Sequence, residues 1–160
     1  MILVSSCLLG NKVKYNGESN DNPLIRRYGR YMIAICPEAL GGLTIPRPPA
    51  ELQNGDGNDV LAGTARVKNK LGEDVTKSFI VGADRVMDFV KKHKIQVAIL
   101  KANSPSCGNK MIYDGTFSGA KISGQGVTAA MLIRHGVKVY SEKELNEDTL
   151  QRIVAMFREE

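Results

Sequence analysis

Apolar and polar positions along this chain follow two periods, one suited to buried strands and one to amphipathic helices. Met1–Ser6, Tyr31–Ile35 and Ile95–Lys101 are largely apolar without alternation, as expected of strands covered on both faces of a parallel sheet. Each is followed by residues that break the run. Phe79, Val86, Phe89 and Val90 share one helical face, predicting a helix from about Ser78 to His93. A second helix is expected from about Gly126 to His135, then a strand over Val137–Tyr140 and a last helix over Asp148–Glu160. Asn22–Tyr28 reads as a short helix with Asn22 as cap and Pro23 at its first position.

Two stretches fit neither period. Leu40–Gly57 holds Gly41-Gly42 and Pro46-Arg47-Pro48-Pro49, and Asn103–Ser123 is rich in Ser, Gly and Asn. Both read as long ordered loops, which in a compact domain usually serve function. Val60–Thr76 reads as a hairpin, Thr64–Val67 against Glu73–Thr76, turning near Lys70-Leu71-Gly72. Strands alternating with helices predict a three-layer α/β fold. Its mostly parallel, Rossmann- or flavodoxin-like sheet has about four strands, with the hairpin inserted. Residues 1–160 are expected to form one domain.

Composition adds bounds. The 160 residues are 42% hydrophobic and 24% charged, enough for a continuous core without staples. The net charge of +5 comes from scattered Lys and Arg, so a solvated surface is expected and a nucleic-acid partner is permitted but not indicated. The longest apolar run, Ile95–Leu100, is far too short for a bilayer, so no membrane association is expected. Met1–Val4 lacks the basic start of a secretory signal. The expected location is cytoplasmic, and nothing in the pattern fixes an oligomeric state.

The chain has three cysteines, an odd number that cannot form a complete disulfide set. Cys7 ends the first strand, Cys36 the second, and Cys107 lies in the loop after the third. In a parallel sheet ligands bind outside the carboxyl ends of the strands, so all three thiols are expected at one edge. A zinc site would need a fourth ligand, yet His93 and His135 fall at helix ends on the opposite edge. The Arg of a cysteine phosphatase loop would fall on Val13, Gly42 or Tyr113, so that chemistry is excluded. Gly124-Gln125-Gly126-Val127-Thr128-Ala129, with Glu142 beyond, spells a dinucleotide fingerprint, but Thr116–Ser123 before it is no buried strand. Those glycines better suit a helix N-terminus whose N–H groups face an anion or cluster sulfide. Three soft ligands without a fourth suit a [4Fe–4S] cluster with one open iron. Zinc and buried structural thiols stay open as alternatives at this point.

Longer motifs narrow the choice. Ser6-Cys7-Leu8-Leu9-Gly10 with Tyr15-Asn16-Gly17, Cys36-Pro37-Glu38 with Gly41-Gly42-Leu43 and Pro46-Arg47, and Ser104-Pro105-Ser106-Cys107-Gly108 with Ile112–Phe117 resemble the three blocks of domain of unknown function family 523. The resemblance spans essentially the whole chain, as in short members of the family. It implies a thiouracil desulfidase: Cys7, Cys36 and Cys107 would hold a [4Fe–4S] cluster, and the thiocarbonyl sulfur of a 2-thiouracil-like small molecule would be replaced by oxygen through non-redox hydrolysis at the open iron. Protein purified in air is expected to lose such a cluster. The alternatives are a non-catalytic iron–sulfur or sulfur-handling module, and desulfuration of another thioamide or of thiolated RNA. Glu38, two residues past a ligand, is the expected proton carrier. Ser104 and Ser106 are expected to orient water or donate to cluster sulfide, though Pro105 between them also suits a structural turn. Arg47 and Lys101 are expected to contact substrate, and Asp114 to serve as a turn residue.

Overall fold

The computed structural model describes residues 1–157. Within them the strands are β1 (Ile2–Ser5), β2 (Met32–Ile35), β3 (Ala50–Gln53), β4 (Arg66–Asn69), β5 (Val97–Leu100), β6 (Met111–Tyr113), β7 (Lys121–Ser123) and β8 (Lys138–Ser141). The α-helices are α1 (Pro23–Arg26), α2 (Pro37–Leu40), α3 (Gly57–Ala62), α4 (Thr76–His93), α5 (Val127–Arg134) and α6 (Glu147–Ala155).

β1 and β5 are buried at every position, which explains their lack of alternation. Leu3, Ala98 and Leu100 pack on one side with Val86 and Val90 of α4 and Ala129 and Leu132 of α5. Ile2, Val4, Val97 and Ile99 pack on the other with Ile25 of α1 and Leu150 and Val154 of α6. Each Val, Leu or Ile among them, fully buried, contributes about 1.5–3 kcal/mol. Two helical layers therefore enclose one sheet. Its order is β2-β1-β5-β8 and every pairing is parallel. From β1 the chain moves first to β2 on one side and later to β5 on the other, so the strand order reverses between β1 and β5. That crevice is where the carboxyl ends of such a sheet accept ligands.

Helix limits follow local chemistry. Asn22 caps α1 by accepting from the N–H of Ile25, with Pro23 first in the helix. Lys94, with φ of 53°, ends α4 in the left-handed region.

The two predicted loops contain structure. Ala50–Gln53 is a strand, and β4 pairs antiparallel with it rather than with Glu73–Thr76. The predicted turn at Lys70–Gly72 exists, but across it only the bridge Lys68–Asp74 forms. The inserted hairpin is thus β3–β4, and Val60 lies in α3. The physical reason is Glu51: its buried carboxylate accepts from the N–H groups of Gly115 and Phe117, so a polar residue occupies an inward position and hides the strand pattern. α3 is short and opens with an Asp56–Asp59 capping box. Asn103–Ser123 contains the β6–β7 hairpin, whose three-residue strands are too short and too exposed to show a period. A third cluster, with Leu52, Val67, Phe79, Ile112 and Val127, seals these insertions to the main body. The last helix starts one residue before its expected start, and residues 158–160 lie outside the described part. Among the described residues no helix is long and apolar enough to cross a membrane.

Candidate active site

Each cysteine is placed by the end of a sheet strand. Cys7 sits in a single 3-10 turn, Ser6–Leu9, that follows β1 and closes on Gly10 with φ of 90°. Cys36 follows β2 and stands at the N-cap of α2. Cys107 lies in the loop after β5. That loop is pinned from two sides. The Ser104 Oγ accepts from the backbone N–H groups of Ser106 and Cys107. The N–H groups of Gly126, Val127 and Ala129 at the start of α5 donate to the carbonyls of Gly108, Pro105 and Ser106. The N-terminus of α5 therefore holds the cysteine loop through its carbonyls, a correction to the expectation that those N–H groups face an anion or cluster sulfide. Gly126 makes the approach possible: a Cβ there would lie 2.5 Å from the carbonyl carbon of Ser106. On the other flank, Gly82 lets α4 meet α2 so closely that a Cβ would lie 2.0 Å from the Pro37 oxygen.

Cys7, Cys36 and Cys107 line one cavity of about 420 Å³, together with Glu38, Arg47, Lys101, Ser104 and Ser106. All eight residues singled out in the sequence meet there. The cavity has the size of a small-molecule site. All three cysteines are free; Cys7 and Cys36 are half-buried and Cys107 is buried. Burial pushes the Cys107 thiol up to about 12, and burial also raises Cys7 although Asn20 donates to its sulfur at 3.3 Å. A thiol so placed ionises when a metal supplies positive charge.

The donor set fits a cluster. Among the described residues no group of three or more His, Cys, Asp or Glu is arranged to hold a metal ion. Thiolates on one tetrahedral zinc would converge to roughly 3.8 Å from each other, given Zn–S bonds near 2.3 Å, whereas each thiolate of a cubane binds its own iron. His93 stacks on Phe89 and His135 meets the carbonyl of Met131; neither lines the cavity. Three thiols around a cavity, with no imidazole, match an iron–sulfur donor set.

Glu38 and Arg47 form a largely buried ion pair at 2.8 Å, their side chains 14% and 7% exposed. Arg47 donates through Nε to Glu38 Oε2, through Nη1 to the Thr44 carbonyl and through Nη2 to the Val13 carbonyl. Through these bonds Arg47 holds Glu38 and the loop, and it lines the cavity as well. Ser106 Oγ donates to Glu38 Oε1 at 3.1 Å, and Ser104 Oγ lies 3.2 Å from Ser106 Oγ. When Ser106 gives its only hydroxyl proton to Glu38, Ser104 must donate to Ser106, so the two hydroxyls form a chain directed at the carboxylate. Pro105 shapes a turn as well, since the Ser104 oxygen also fixes that turn.

Lys101 follows β5 and pairs with Glu142 at 3.0 Å. Asp114 behaves as a turn residue, its Oδ1 accepting from the N–H of Thr116. Asn20 and Glu142 are neighbours of the cysteines that sequence reasoning passed over. Asn20 lies in a featureless polar run. Glu142 stood out only as a carboxylate at a dinucleotide spacing, and the segment before Gly124 is indeed no buried strand but the exposed β7.

Comparison with known proteins agrees with this geometry. The uncharacterized protein YbbK of Bacillus subtilis (strain 168) is 49% identical over 149 residues, covering 92% of this chain and 99% of YbbK. A solved structure of the [4Fe-4S]-dependent thiouracil desulfidase TudS superposes with a TM-score of 0.82 at 39% identity, covering 96% of this chain and 97% of that one. The model of the 2-thiouracil desulfurase family matches residues 2–144. With its three cysteine blocks on one sheet edge and that match across most of its length, the chain belongs to the 2-thiouracil desulfurase family.

Proposed function

We propose that this protein is a [4Fe–4S]-dependent desulfidase that converts the C=S group of a 2-thiouracil-like pyrimidine to C=O, with water as the oxygen source and sulfide as the second product. The observation that carries this reading is the meeting of three thiols, a largely buried carboxylate and a hydroxyl chain in one cavity. Cys7, Cys36 and Cys107 would hold the cluster. When bound, it supplies a Lewis-acidic iron with a free position for sulfur.

The chain's own residues handle the protons. Glu38 is an ion-paired carboxylate whose Oε2 is fixed by Arg47, while Oε1 receives Ser106 and keeps a lone pair for a water. Glu38 accepts a proton from the attacking water as the water oxygen bonds to the carbon and the C=S π pair moves to sulfur. The C–S bond then breaks with its electron pair leaving on sulfur, and Glu38 returns the proton to that sulfur. The remaining proton of the water leaves with it or to solvent, so C=S plus water gives C=O plus hydrogen sulfide, with no oxidation or reduction. Ser106 and Ser104 keep the carboxylate aimed, and Lys101 contacts the substrate.

The test is sulfide release from 2-thiouracil by anaerobically reconstituted protein. Stoichiometric uracil and sulfide without added reductant are expected. An intact cluster that yields neither product contradicts the proposal.

A further inference from the structure

Lys101 and Glu142 form a second charged pair at the cavity, and the reaction above gives Glu142 no part. Lys101 Nζ lies 3.0 Å from Glu142 Oε2 and donates to the Ala102 carbonyl at 3.1 Å. An ammonium has three N–H donors, so one has no partner among the described residues, and Lys101 lines the cavity. Glu142 does not line it. Its Oε1 accepts from the Ala102 N–H at 2.7 Å, and its side chain is only 12% exposed against 25% for Lys101. The Lys101 backbone is tied as well, its N–H donating to Ser5 Oγ at 2.9 Å.

A free lysine swings on a four-carbon stem; this one is held at its head and its base. We propose that Glu142 is a positioning residue that aims the remaining Lys101 N–H at a ring oxygen of the substrate, so that the site selects thioamides carrying a second carbonyl, such as a thio-oxo pyrimidine, over thioamides lacking one. A cavity donor fixed in this way loses its partner when the ligand has no oxygen there, and sites built to bond a ligand oxygen discriminate on that ground. The inference rests on the desulfidase reading for the class of substrate, but it is read by binding alone.

The experiment measures equilibrium binding of uracil and of pyrimidin-2-one, which lacks the second carbonyl, to the reconstituted holoprotein. Wild type is expected to prefer uracil by on the order of 10- to 100-fold, the equivalent of one charged hydrogen bond. Glu142→Gln and Lys101→Met are each expected to bring the ratio to within about threefold with cluster content unchanged. Should Glu142→Gln not fold, Glu142→Asp, which keeps the charge and shortens its reach, is expected to give an intermediate ratio. A wild-type ratio near one, no binding of either ligand, or a wild-type ratio in the Glu142 variant overturns the proposal. Sulfide release is assayed on the same samples: preference for uracil without any turnover of 2-thiouracil would remove the desulfidase reading and leave the oxygen selectivity standing.

Discussion

Two ion pairs reach the cavity from strands on either side of β1, and they present it with opposite charges. After β2, Arg47 is held by the carbonyls of Thr44 and Val13 while Glu38 keeps a carboxylate oxygen toward the Ser106 hydroxyl. After β5, Lys101 keeps an N–H while the carboxylate of Glu142, which follows β8, is held by the Ala102 N–H. One pair offers a proton acceptor and the other a donor. The difference shows how similar salt bridges can do different chemistry: what matters is which partner's capacity is already used by the backbone.

The largest effect is expected from neutralising the acceptor. Glu38→Gln should lower kcat by about 10²–10⁴ with iron content unchanged, while Glu142→Gln should act mainly on KM. Equal losses in kcat from the two variants would erase the distinction between the pairs. Arg47→Met should destabilise the fold by roughly 2–4 kcal/mol, because it leaves a largely buried carboxylate without its cation, and urea denaturation would read that loss. A loss below 1 kcal/mol would mean that water replaces Arg47 in holding Glu38.

A smaller effect should come from the backbone beneath the cysteines. Gly126→Ala puts a methyl against the Ser106 carbonyl, and such overpacking costs about 1–3 kcal/mol. The thermal midpoint should drop and the iron bound per chain should fall with it. The smallest effect concerns Asp56, whose carboxylate joins the start of α3 to Gln125. Burial alone would raise its pKa, but hydrogen bonds from Gln125, Asn58 and Asp59 outweigh burial and hold it below the usual 3.8. Its stabilisation is therefore fully present above the unfolded value and is lost as pH falls through the lower folded value. Unfolding free energies measured from pH 5 downward should decline in wild type and decline less in Asp56→Asn.

The central sheet and the convergence of the cysteines were legible because both rest on burial. β1, β2 and β5 are apolar runs, and a thiol just past β1 and β2 or in the loop after β5 has one edge to occupy. The β3–β4 hairpin was misread because Glu51 occupies an inward position with its carboxylate bonded to a distant loop; no local pattern records such a partner. The same limit hid Glu142, which lies 40 residues from the N–H it accepts. Arg47 was legible as a site residue, while its partners were not, since the carbonyls of Val13 and Thr44 that engage it carry no side-chain signature. Sequence gave the membership of the site; the hydrogen-bond capacity left over at each residue needed coordinates.

The most direct measurement is iron and acid-labile sulfide bound per chain after anaerobic reconstitution, for wild type beside Cys7→Ser, Cys36→Ser and Cys107→Ser. Wild type should bind about four irons and four sulfides, and each variant should lose the cluster's absorbance together with sulfide release from 2-thiouracil. A variant that keeps a full cluster would show that its cysteine is not a ligand, and a wild type that binds none would contradict the account.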